Sequence, residues 1–292
     1  INNAGSARTY EFGTANTGNA LFNMSGTSSV LNLTMMGTDG SPAANDGMDA
    51  NVGNLAVNLA GTAPAGTKAT INIESQGDLA DGATGVFNNV GTVSAVAGST
   101  INITGEGNLD LNGLASNGTI DASAATGNLV LEGSNFANGA TFTSGADTIT
   151  LGAGADTVQF SSGAASGVAD TSTAPATPSD LKVDVVNGFT AGNGGDVLDA
   201  TYSAATDADY TALTAALQAD IDALSGATAT LQNAADIAAD IATADEWTAF
   251  TFQGQTYAQY DSDGNGDFDA ASDLLVQITG VSVADLNDTN FA

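Results

Sequence analysis

The chain has 292 residues, with 33 acidic side chains against three basic ones and a formal net charge of −30. Such a balance repels nucleic acid and anionic membranes and leaves divalent cations as the natural partner. Cysteine and histidine are both absent, so thiol nucleophiles, imidazole bases, disulfides, Ser/His/Asp triads and the usual zinc sites are excluded, and the expectation is a protein that is not an enzyme.

Five of the acids are glutamate (Glu11, Glu74, Glu106, Glu132 and Glu246) and the other 28 are aspartate, set among 36 glycines. Short carboxylates beside glycine form a turn-and-cation composition. The charge is uneven, with −9 over residues 1–144 and −21 over residues 145–292, so cation sites are expected in the second part. A hydrophobic fraction of 42% allows a buried core, although alanine inflates it. No 18-residue apolar run is present, so membrane insertion is not expected. The first residues, Ile1-Asn-Asn-Ala-Gly5, do not read as a signal peptide, and a start without methionine suggests a processed or trimmed chain.

Residues 1–144 read as short alternating strands between glycine and asparagine turns: Val30-Leu-Asn-Leu-Thr34, Leu55-Ala-Val-Asn-Leu59, Thr70-Ile-Asn-Ile73, Thr100-Ile-Asn-Ile103 and Leu129-Val-Leu131. Thr70-Ile-Asn-Ile73 and Thr100-Ile-Asn-Ile103 lie thirty residues apart, and the same offset pairs Gly77 with Gly107 and Leu79 with Leu109. A fixed repeat of short strands predicts a parallel β-helix or β-roll solenoid, in which each unit buries its apolar face against the next. An antiparallel β-sandwich is the alternative.

Residues 145–160 carry a tandem, Gly145-Ala-Asp147-Thr-Ile149 and Gly154-Ala-Asp156-Thr-Val158, with Gly152 inside it. The pattern reads as a calcium-binding turn of a parallel β-roll: glycines let the backbone turn tightly, the aspartate brings charge, and the aliphatic residue two places on enters the core. Ser172 to Ser179, with Pro175 and Pro178, reads as a loop or insertion. Leu181 to Phe189 alternates as a strand whose Asp184 faces an ion or water, with water the favoured reading. Gly192-Asn-Gly194-Gly-Asp196-Val-Leu-Asp199 repeats the calcium-turn core.

Between Thr206 and Ala244, the spacing of Tyr210, Leu213, Leu217, Ile221 and Leu224 predicts a helix of about four to five turns, capped by Thr206 or Asp207 and stopped at Gly226. Leu231, Ala234, Ile237 and Ile241 predict a second, giving a helical hairpin whose acids, including Asp209, Asp220, Asp222, Asp236 and Asp240, form a solvated face or a calcium-bridged contact. Farther on, Asp261-Ser-Asp263-Gly-Asn265-Gly-Asp267 has the alternate oxygens of an EF-hand loop. The twelfth position is Ser272 and an acid, Asp273, follows one place later, so neither EF-hand geometry nor a sensor role follows. A polar hairpin between Tyr257–Tyr260 and Leu274–Ile278 is the alternative. The candidate metal residues are therefore Gly145, Asp147, Gly152, Gly154, Asp156, Gly194, Asp196, Asp199, Asp261, Asp263, Asn265, Asp267 and Asp273, with Ca2+ as the expected ion.

The tandem resembles the nonapeptide Gly-Gly-x-Gly-x-Asp-x-aliphatic-x of RTX proteins, which Gram-negative bacteria export by type I secretion; the first glycine of each unit is missing and Thr143 stands where a second is expected. The segment Gly118-Thr-Ile120-Asp121 through Gly127-Asn-Leu129-Val-Leu131-Glu-Gly133 is similar to the one preceding the calcium turns of type I-secreted S-layer proteins. Asp184-x-Val186-x-x-Phe189 followed by Gly192 to Asp199 resembles what comes after them. The end, Tyr257 to Ala292, looks like an RTX export terminus. The resemblance covers residues 118–292 and implies an uncleaved C-terminal secretion signal, an extracellular or cell-surface location, and self-assembly into a layer or filament, with a cell-surface glycan as a further partner. An adhesin or biofilm-matrix module, and the export portion of a secreted enzyme, are the other classes it allows.

Overall fold

The computed structural model describes residues 2–4, 9–13, 18–24, 29–36, 51–53, 55–59, 67–77, 87–91, 93–95, 98–111, 118–132, 147–160, 168–169, 181–200, 209–269 and 272–292. The chain is mainly β and divides into two compact units, Ile1–Phe136 with Ile149–Thr157, and Ala137–Thr148 with Val158–Ala292. The division runs through two short strands, β14 (Thr148–Thr150) and β15 (Thr157–Gln159).

In the first unit, β2 (Thr9–Phe12), β4 (Val30–Met36), β7 (Thr70–Gln76), β10 (Ser99–Gly105) and β12 (Gly118–Ala125) lie side by side. A second row holds β1 (Asn2–Ala4), β3 (Ala20–Met24), β6 (Leu55–Leu59) and β9 (Val93–Ser94). A third holds β5 (Asn51–Val52), β8 (Asn88–Val90), β11 (Leu109–Leu111) and β13 (Leu129–Glu132). All of these pairings are parallel, which excludes the antiparallel sandwich for this unit.

Register explains why the alternating sequences work. Leu31, Ile71, Ile101 and Ile120 are cross-strand partners, all buried, so each aliphatic side chain lands on another. Each such burial contributes about 1.5–3 kcal/mol. The intervening residues form an outward column in which Asn72 Nδ2 donates to Asn32 Oδ1 at 2.7 Å and Asn102 Nδ2 to Asn72 Oδ1 at 2.8 Å. The thirty-residue repeat is thus a neighbour relation: Thr70 to Ile73 pair residue for residue with Thr100 to Ile103. Glycine meets glycine at the turns, where a Cβ on Gly127 would stand 2.5 Å from the Gly107 carbonyl oxygen; a side chain there would push the backbones apart.

In the second unit, β18 (Asp184–Asn187), β23 (Leu274–Ile278), β22 (Gln255–Asp261), β21 (Glu246–Phe252) and β20 (Asp209–Tyr210) form one mixed sheet. β16 (Val168–Ala169) and β17 (Leu181–Lys182) form a two-stranded antiparallel pair, and β19 (Val197–Asp199) precedes the helical region. The β21–β22 hairpin turns at Gln253 and Gly254, both with positive φ (49° and 79°), as a tight primed turn requires.

The helical hairpin is shorter than its periodicity predicts. Helix α1 is Ala215–Asp222, with Thr214 as N-cap accepting from Leu217 N at 3.3 Å, while the expected caps Thr206 and Asp207 lie outside the described residues. Tyr210 sits in β20, pairs with Trp247 and stacks on Phe291 with ring centroids 4.7 Å apart. That aromatic contact takes Tyr210 out of the helix despite its spacing. Helix α2 is Leu231–Ala239, capped by Thr230. Its fully buried residues are Ala234, Ala235, Ala238 and Ala239, with Leu231 and Ile237 at the margin, and Ile241 falls beyond its end. Small side chains let α2 approach the sheet, where it joins Phe250, Phe252, Tyr257 and Leu275. No helix among the described residues is long and apolar enough to cross a membrane.

Ile101→Ala is expected to cost 2–5 kcal/mol, and Asn72→Ala about 1 kcal/mol, in equilibrium urea unfolding; equal costs would contradict the division into an apolar inner column and a hydrogen-bonded outer one.

Candidate metal centre

The segment from Asp261 to Asp273 follows β22 and leads into β23. Its first half is a run of side-chain-capped turns: Asp261 Oδ1 accepts from Asp263 N at 3.0 Å and Gly264 N at 2.6 Å, Asp263 Oδ1 from Asn265 N at 3.1 Å, and Asn265 Oδ1 from Asp267 N at 2.7 Å. Short polar side chains at every second position favour this over helix or strand. Gly264 has φ +66°, and a Cβ there would stand 2.5 Å from Ala244 N, so the loop requires glycine at this point.

Asp273 closes the segment. Its Oδ1 accepts from Ser262 N at 3.1 Å and Ser262 Oγ at 2.9 Å, and its Oδ2 from Asp269 N at 2.8 Å. Asp261 and Asp273 are fully buried, Asp263 is exposed, and one carboxylate oxygen from each lies within 4.8 Å of the others. Asp261 Oδ2 is buried with no hydrogen-bond partner among the described residues. Burial pushes the Asp261 carboxyl up, against the lowering effect of the Gly264 and Asp263 amides, and the charges of Asp273 and Asp263 push it further. An oxygen-only donor set with a buried carboxylate oxygen that has no partner among the described residues fits a hard cation, for which backbone carbonyls and water would complete the shell.

The loop leans on α2. Asp236 Oδ1 accepts from Phe268 N at 3.2 Å and from Gln232 Nε2 at 2.7 Å, and Gln232 Nε2 also donates to the Phe268 carbonyl at 2.9 Å. Asp236 is therefore half-buried rather than part of a solvated acidic face, and burial holds its carboxyl above the usual range, with Asp267 and Asp269 adding to the shift.

Sequence reasoning placed Asp261, Asp263 and Asp273 in one site, and the fold brings these three together. Asn265 and Asp267 stay in the chain of turns, where Asn265 Nδ2 also donates to Asp263 Oδ2 at 3.1 Å and Asp269 Oδ2 at 3.3 Å. The other candidates are held by partners of their own. Asp156 is buried and accepts from Leu129 N at 3.0 Å, beside exposed Gly154, while Ala153 N, next to Gly152, donates to the Ala125 carbonyl at 3.0 Å. Asp196 Oδ2 accepts from Thr190 N at 2.7 Å in the turn containing Gly194, and Asp199 Oδ2 accepts from Gln159 Nε2 at 2.9 Å, burial raising the Asp199 carboxyl. Gly145 lies outside the described residues.

Asp147 and Asp184 are both buried, and Asp147 N donates to Asp184 Oδ1 at 2.8 Å. Asp184 thus points into the protein, not to water as its strand alternation suggested. Burial raises its carboxyl well above the ordinary range, and the Asp147 charge adds to this. The alternation of Leu181 to Phe189 gave no sign of which face would be covered. Ser262 and Gln232 carry no signal in the sequence, and Asp236 reads there only as one of the acids of the helical hairpin, because what these residues hold is brought near only by the fold.

No family model matches the chain, and no curated protein matches it in sequence.

Because Asp184, Asp236 and Asp261 have raised carboxyls in the folded state, the fold binds protons that the unfolded chain has released. Their contribution is present below the ordinary aspartate value of about 3.9 and is lost as pH rises through the raised values. In chelator, the melting temperature of the second unit is expected to rise as pH is lowered from 7 to about 5. A melting temperature that falls over that interval in calorimetric scans would contradict the burial of these groups as ionisable acids.

Proposed function

We propose that this chain is a calcium-stabilised, secreted structural protein that self-assembles into a bacterial surface layer or extracellular filament. The observation that carries the reading is the convergence of Asp261, Asp263 and Asp273 around a buried, unpartnered carboxylate oxygen in a chain of net charge −30. Three like charges held this close repel one another until a cation joins them, and Ca2+ suits an irregular set of carboxylates that leaves room for backbone and water oxygens.

On this reading the in-register parallel rows of the first unit are turns of a β-helix or β-roll solenoid, and the RTX resemblance supplies the route: export unfolded from a calcium-poor cytoplasm, then folding outside. A site occupied at ten times its dissociation constant adds about 1.4 kcal/mol, appreciable against the 5–15 kcal/mol of an ordinary domain. Self-assembly is supported by β2, at the edge of its row with hydrogen-bonding groups directed outward, since such edges are natural joining surfaces. A second reading, an adhesin, is favoured by the partly exposed outward column of Thr70, Thr100 and Thr119. Regularly spaced hydroxyls suit a glycan.

Excess EDTA is expected to lower the melting temperature sharply, and Ca2+ to restore it; an unchanged melt would sink the calcium reading. Electron microscopy of the Ca2+-loaded protein is expected to reveal sheets or fibres, whereas dispersed monomers would favour the adhesin.

A further inference from the structure

The face of β21, β22 and β23 that packs under α2 changes character along its length. Near the β21–β22 turn it carries Phe250, Phe252, Tyr257 and Leu275 against the helix alanines. Thr248 pairs with Gln259, and Gln259 with Leu275. Cross-strand partners share a face, as do residues two apart on a strand. Thr248, Gln259 and Asp261 therefore continue the same face toward the loop, and all three are fully buried. Among the described residues, Thr248 Oγ1, both amide atoms of Gln259 and Asp261 Oδ2 lack hydrogen-bond partners.

Buried polar groups in folded proteins are satisfied, and where no protein group serves, ordered water does. The mixture of groups selects the occupant. A bare cation could satisfy Gln259 Oε1, Thr248 Oγ1 and Asp261 Oδ2 but would repel the Gln259 Nε2 donor. Water bound to a cation through its oxygen turns two hydrogens outward, and Gln259 and Thr248, cross-strand partners on one face, each bring an acceptor oxygen that could receive one. A further water would accept from Nε2.

We propose that the cation site at Asp261 extends beneath its loop: water ligating the cation is held from inside by Gln259 and Thr248, which makes these two neutral side chains positioning residues of the site. The inference rests on the cation reading of the Asp261, Asp263 and Asp273 triad and adds its inner wall. Hydrogen-bonding groups behind a metal's direct ligands typically tune affinity 10–100-fold.

Tb3+ titration of the full chain, with emission excited through Tyr and Trp, tests this, because the emission component lost in Asp263→Asn belongs to the triad. Gln259→Leu and Thr248→Val are each expected to weaken that component's affinity about 10-fold, with lifetimes in H2O and D2O reporting fewer coordinated waters than in the wild type. Thr248→Ser, which keeps the hydroxyl, is expected to retain both affinity and water count. Unchanged affinity and water count in Gln259→Leu and Thr248→Val, with a higher melting temperature in chelator, would overturn the proposal, since that is how dry orphan groups respond to apolar replacement. Equal losses in Thr248→Ser and Thr248→Val would overturn it as well. A wild type that binds no Tb3+ removes the triad reading together with the proposal, whereas wild-type binding indifferent to Gln259 and Thr248 removes the proposal alone.

Discussion

A chain with 33 carboxylates and three cationic side chains cannot neutralise its buried acids with its own charges. Burying a carboxylate without compensation is among the most costly events in folding. Here the compensation comes from the backbone. Asp156 takes the amide of Leu129, Asp184 that of Asp147, Asp196 that of Thr190, Asp261 those of Asp263 and Gly264, and Asp273 those of Ser262 and Asp269. Each bond ties a turn to a neighbouring segment, so the aspartates act as connectors before any ion is considered.

Amides stabilise negative charge but do not cancel it. Where one aspartate stands among backbone donors, as Asp196 does, the arrangement is self-sufficient. Where three converge, as at Asp261, the donors occupy some oxygens and leave one without a partner. Backbone support therefore shapes the loop and leaves its net charge uncancelled among the described residues. Asp236 and Gln232 extend this logic to α2, fixing the loop's outer edge through Phe268 and making the helix pair a support for it.

The legible parts of the sequence were those governed by local periodicity. In the first unit the thirty-residue offset identified strands that stack on each other, because a parallel register repeats the same side chain at the same height. In the loop, the first two of the alternate positions, Asp261 and Asp263, are those whose oxygens converge, with Asp273, one place beyond Ser272, as the third, while Asn265 and Asp267 stay in the turns. Illegible were features set by long-range covering. Asp184 alternates like a solvent-facing residue yet is covered, and Tyr210 has helical spacing yet is drawn into a strand by Trp247 and Phe291. The buried stripe of α2 holds Ala234, as its periodicity predicts, but continues through Ala235, Ala238 and Ala239 and leaves Leu231 and Ile237 at its margin, because small side chains allow close approach to the sheet. Thr248 and Gln259 carry no mark in the sequence of the full burial that the fold gives them.

The final residues of the chain bring a different consequence. Phe291 bridges in parallel to Leu198, Ala292 exchanges backbone hydrogen bonds with Leu198 and Ala200, and Asn290 Oδ1 accepts from Gly192 N, 98 residues away in sequence. Closing contacts of such separation carries a loop-closure cost that local turns do not. The second unit is thus held like a clasp, with residues 290–292 fastened onto the segment from Gly192 to Ala200. Without Phe291 against Trp247 and Tyr210, the turn around Gly192 and the edge of the aromatic core would be unsealed.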